Sequence, residues 1–106
     1  MTVEEAKAKY IGEKLKLQEL EKQEKQLSEI LEDCKTGSRR FDTTAVQALL
    51  DGDSTSAATA LDSADDMDAY IKKLQNKHYE LIEEIARLKV QLKQESVKIA
   101  KMEAGE

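Results

Sequence analysis

Residues 67–102, MDAYIKKLQNKHYELIEEIARLKVQLKQESVKIAKM, place Met67, Ile71, Leu74, His78, Leu81, Ile85, Leu88, Leu92, Glu95, Ile99 and Met102 at alternating spacings of three and four. Seven residues make close to two turns of α-helix, so this spacing holds all of them on one stripe, the a/d seam of a coiled coil. Nearer the N-terminus the same spacing links Val3, Ala6, Tyr10, Glu13, Leu17, Leu20, Glu24, Leu27, Leu31 and Cys34. That run of about 30 residues predicts a helix of roughly 50 Å at 1.5 Å per residue. Thr2 precedes it with Glu5 three residues on, the spacing of a capping box.

The stretch between the two repeats reads as a joint. Gly37 follows Cys34 and can take the left-handed conformation that closes a helix, so the first helix is expected over residues 2–36. Asp42 can cap a short helix over 42–51 whose apolar face is Ala45, Val46, Leu49 and Leu50, stopped by Asp51 and Gly52. A second long helix then starts between 54 and 64, capped by Ser54, Ser56 or Ser63, and runs to 103. Its early seam positions Ala60 and Ala64 are small, and a start near Ser63 would set Asp62, Asp65, Asp66 and Asp68 against its positive end. Two heptad stretches with a short connection fold back side by side. The expected fold is therefore all-α, one domain over 1–106: a long antiparallel coiled-coil helical hairpin with a short helix at its closed end. Setting Val3 beside Met102 pairs Leu17 with Leu88, Leu20 with Ile85 and Cys34 with Ile71.

Composition agrees. Charged residues are 37% and aromatic residues 4%, with no proline or tryptophan, as in long helices rather than wide globular cores. A seam this narrow leaves much of the cost of ordering the chain unmet, which favours association into a dimer or higher assembly. The net charge of −5 disfavours nucleic acid and anionic membranes and suits a basic partner. Cys34 is the single cysteine, so it can form no internal disulfide, and no apolar run is long enough for a signal peptide or a membrane span. Cytoplasm is the expected compartment, although a secretion route that reads helices would leave no trace. The one cysteine and the one histidine, His78, lie on the seams of different helices, where no pocket exists for a nucleophile. There is no cysteine pair for zinc and no glycine-rich phosphate loop, so no enzyme, cofactor or small-molecule substrate is expected.

Several residues depart from a plain coiled coil. Ala8, Ile11 and Leu15 on the first helix, and Ala86, Val90, Val97 and Ala100 on the last, form apolar stripes away from the seam near the open end. They predict association of two hairpins into a four-helix bundle, or docking of another helical protein. Glu24, His78 and Glu95 are polar groups at seam positions, where such residues fix register and oligomer state. In this register Glu24 lies about one layer from His78, close enough for a charge-assisted bond that would respond to mildly acidic pH. Arg39, Arg40 and Phe41 are expected at the exposed tip as a contact point. Asp51, Asp53, Thr55, Thr59 and Asp62 fall at the spacing of several ligand positions of a calcium loop, but Ser56 stands where that loop needs glycine and Asp62 where it needs the longer glutamate, so no metal site is assigned.

The expected function is that of a non-enzymatic structural or adaptor protein working through protein–protein association, as spacer, assembly factor or docking module. A tail or head accessory of a bacteriophage is one setting for it. The paired arms resemble those of prefoldin subunits, which implies the alternative of a small chaperone or secretion helper holding a client against the arms. The joint, however, lacks the strand-like alternation from which a prefoldin builds its β-hairpins, and the family is not assigned. A second alternative is a nucleic-acid accessory acting through Arg39 and Arg40.

Overall fold

In a computed structural model describing residues 1–105, the chain is an all-α helical hairpin of two long helices, α1 (Val3–Leu50) and α2 (Ser54–Glu103), with no strand among the described residues. Contacts gather into two units. The terminal unit joins Met1–Lys25 to the chain from Tyr79 onward, and the turn unit is Gln26–His78.

Helix α1 does not stop at Gly37, and the short helix expected over 42–51 is simply its last part. The seam explains why. Beyond Cys34 the three-four spacing continues through Ser38, Phe41, Ala45 and Ala48, each buried or half-buried. Ser38 hides among apolar neighbours because its hydroxyl donates to Asp68 Oδ1 at 2.6 Å. Gly37 costs a helix interior about 1 kcal/mol relative to alanine, but it packs beside Met67 on the flank of the seam. Thr36, Thr43 and Thr44 return their hydroxyls to the carbonyls of Glu32, Arg39 and Arg40, so the polar run 36–44 is satisfied inside a helix. The expected apolar face of the joint is corrected too: Ala45 is buried, whereas Val46, Leu49 and Leu50 are exposed.

The turn is built by glycine. Gly52 sits at φ +78°, its N–H donates to Leu49 O at 3.1 Å, and Asp53 N–H donates to Ala48 O at 2.8 Å. This pair of bonds is a Schellman closure, satisfying carbonyls that the last turn of α1 would leave open. Asp53 then caps α2, accepting the Ser56 N–H at 3.0 Å on Oδ1 and the Ser56 hydroxyl at 2.6 Å on Oδ2. These bonds favour the ionised carboxyl and hold it below its ordinary range. Because α2 starts at Ser54, Asp62 to Asp68 lie beyond its first turn and do not complement its N-terminal end. At the other end of the chain, Thr2 caps α1 by accepting the Glu5 N–H at 3.1 Å.

Within the turn unit the core is Leu31, Ala45, Ala57, Ala60, Ala64 and Ile71. Four alanines let the backbones approach closely beside the turn. In the terminal unit Leu20, Ile85, Leu88 and Leu92 form the buried cluster, with Tyr10, Leu17 and Leu81 packed against it. Leu17, Leu20, Ile85 and Leu88 thus share one cluster, as the register with Val3 beside Met102 requires. Cross-helix ion pairs Lys7–Glu103, Lys16–Glu84 (3.8 Å) and Lys89–Glu21 (3.9 Å) line its two flanks. All are solvated, so each is worth about 0–1 kcal/mol.

Candidate functional site

In the terminal unit Glu95 meets Glu13, a pairing that the sequence reading missed. Their side chains are 18% and 16% exposed and their carboxyls hydrogen-bond to each other. Gln91 Nε2 donates to Glu13 Oε1 at 3.0 Å and to Glu95 Oε1 at 3.3 Å, and Lys9 Nζ lies 3.5 Å from Glu95. The Oε2 atoms of both glutamates are buried without another donor. One proton shared between the carboxyls would meet that need. The bond to Glu95 raises the Glu13 carboxyl above its ordinary value, helped by burial, while the bond from Glu13 lowers Glu95. The two titrate as a pair. A signal was present: both residues were in the heptad list, and the register places them within one layer of each other.

His78 belongs to the turn unit, half-buried, with its Nε2 3.1 Å from Ser28 Oγ. Glu24 is half-buried at its seam position in the terminal unit. Cys34 is half-buried and free.

The tip assignment of Arg39, Arg40 and Phe41 is corrected. These residues lie inside α1, well before the turn at Asp51–Asp53. Phe41 is half-buried at a seam position, while Arg39 and Arg40 are exposed on the outer face of the helix. An arginine pair in an unbroken helix is a solvated face rather than an exposed loop.

The apolar stripes are where the heptad puts them, but not on one side. Ala8, Ile11 and Leu15 are exposed on α1, and Ala86, Val90, Val97 and Ala100 are exposed on α2. On each helix they occupy the heptad positions farthest from the seam, so the two stripes face away from each other across the terminal unit. The α2 stripe is the longer, extended toward the turn unit by exposed Tyr79.

No helix among the described residues is long and apolar enough to cross a membrane. Comparison with known proteins finds no matching family, no similar curated protein and no similar solved structure.

Proposed function

We propose that this chain is a non-enzymatic coiled-coil adaptor or structural protein that acts through protein–protein association, beginning with its own copies. The observation that carries this reading is the outer face of α2 in the terminal unit, where Tyr79, Ala86, Val90, Val97 and Ala100 recur at heptad-related spacings and are exposed. A two-helix pair buries one seam per helix and leaves such a face in water. Pairing it with the same face of a second copy about a twofold axis would bury it in a self-complementary contact. The stripe on α1, around Ile11 and Leu15, lies on the opposite side and supports a second contact with another helical protein.

The test is solution mass by light scattering, with small-angle scattering for shape, on the wild-type chain and on Val90→Glu/Val97→Glu. The expected result is a dimer or higher oligomer for wild type and a monomer of unchanged helicity for the variant. A wild-type monomer at all concentrations overturns self-association.

A further inference from the structure

The turn end of the chain carries an apolar patch in a strongly acidic field, and the combination defines its partner. Residues 42–68 contain seven aspartates and no lysine, arginine or histidine. The rest of the chain holds all 17 basic residues against 15 acids, so the whole net charge of −5 arises from this segment. Within it, Val46 (58% exposed), Leu49 (59%), Leu50 (77%) and Leu61 (46%) are left in water, although the seam beside them is closed by alanines.

These four residues share a side. Ser38 holds Asp68, which marks the flank of α2 bordering α1. Leu61 lies one heptad before Asp68 and so occupies the same flank. The corresponding flank of α1 holds Asp42 and, one heptad later, Leu49. Val46 and Leu50 lie three residues before and one after Leu49, on the adjoining outer surface of the same turns. Leu49 and Leu61 thus lie on the same flank of the two helices, with Asp42, Asp65 and Asp68 beside them. The other flank is different in chemistry, with Thr44, Ser56, Thr59 and Ser63 around Phe41.

We propose that this flank docks a basic amphipathic helix of a partner protein, its apolar stripe against Leu49, Leu50 and Leu61 and its lysines or arginines against the aspartates. The flank of an antiparallel helix pair accepts a third helix laid along it. The charge selects which helix. A second copy would bring the same aspartates face to face, and nucleic acid or an anionic bilayer would be repelled at long range. The assignment deepens the adaptor reading by giving it a partner class, and it uses a surface in the turn unit distinct from the α2 stripe of the terminal unit.

The experiment uses the full chain and two labelled helical peptides of about 20 residues, one with leucines at i, i+3 and i+4 spacing and lysines elsewhere, the other with glutamates in place of the lysines. Fluorescence anisotropy reads binding at low and near-physiological salt. The lysine peptide is expected to bind with micromolar affinity that weakens with salt. Leu50→Ser/Leu61→Ser should weaken it at least about tenfold, and Asp42→Asn/Asp65→Asn should weaken it and flatten the salt dependence. All four residues are exposed, so the variants should keep wild-type helicity by circular dichroism. Val90→Gln/Val97→Gln should leave peptide binding unchanged, so that loss of oligomerisation and loss of this site are separable. Equal binding of the glutamate peptide, no binding of the lysine peptide, or undiminished binding to the leucine variant each overturns the proposal. An oligomer that dissociates on Leu50→Ser/Leu61→Ser would overturn it in favour of a second copy.

Discussion

Replacing Glu13 by glutamine should make the protein more stable at neutral pH, even though it alters a half-buried, hydrogen-bonded seam residue. Glu13 is raised above the ordinary carboxyl value of 4.5, so the folded state holds its proton more tightly than the unfolded state does. The stability from that proton is complete below the unfolded value and is lost as pH rises through the raised folded value. Glu95 is shifted the other way, so its contribution is present above the ordinary value of 4.5 and lost as pH falls through the depressed one. The pair therefore contributes most where one proton is shared, and it is weakened at neutral pH, where both carboxyls tend to ionise. Two unit charges 4 Å apart interact by about 4 kcal/mol at an effective dielectric of 20. Lys9, 3.5 Å from Glu95 and 4.0 Å from Glu13, offsets much of this. The residual exposure of both side chains reduces it further, leaving about 1 kcal/mol.

Glutamine keeps the shape, removes the second charge, and offers an amide N–H to the Glu95 Oε2 that now lacks a donor. The assay is urea denaturation followed by circular dichroism from pH 4.5 to 8, at fixed protein concentration. Glu13→Gln is expected to gain about 1 kcal/mol at pH 7.5 and to lack the decline expected of wild type as pH rises through the raised Glu13 value. Glu95→Gln should gain less, because it removes the carboxylate closest to Lys9. A Glu13→Gln variant that is less stable than wild type at pH 7.5, or that keeps the wild-type pH profile, refutes the shared-proton reasoning.

Two further predictions concern the backbone of the turn unit. Gly37→Ala should stabilise the fold by about 0.5–1 kcal/mol, since Gly37 is helical and a Cβ there would meet the Met67 methyl at an ordinary 3.6 Å. Gly52→Ala should destabilise by about 1 kcal/mol because its φ of +78° is strained for any residue with a side chain; thermal melts of the two variants moving in the same direction would contradict the placement of the turn. Asp53→Ala should weaken the start of α2, and the difference from wild type should shrink as pH falls through the depressed Asp53 value, below 3.8, where the cap loses its charge in wild type as well. Melts at acidic and neutral pH check this, and a difference independent of pH would argue against a charged cap.

Local chemistry made much of this protein legible. The heptad runs from Val3 to Cys34 and from Met67 to Met102 announce two long helices, because a three-four spacing is a property of helical geometry and needs no tertiary information. Thr2 and Gly52 mark termini for the same reason, since caps and left-handed glycines act within a few residues, whereas the cap of α2 is Asp53 and not one of the serines the sequence suggested. The error fell on residues 37–50. Val46, Leu49 and Leu50 are large apolar side chains there and suggest a buried face, yet the seam runs through Ser38, Phe41, Ala45 and Ala48 instead. A hydroxyl becomes a seam residue only when Asp68 stands opposite to accept its hydrogen bond, and an alanine counts as core only when another helix comes close enough to cover it. Likewise Glu13 and Glu95 each read as a polar interruption of a seam until the two are brought together. Sequence periodicity determined which residues share a face of each helix. Only the packing of one helix against the other decided which faces are covered, because burial is a relation between two surfaces, and the spacing along one helix describes only the first.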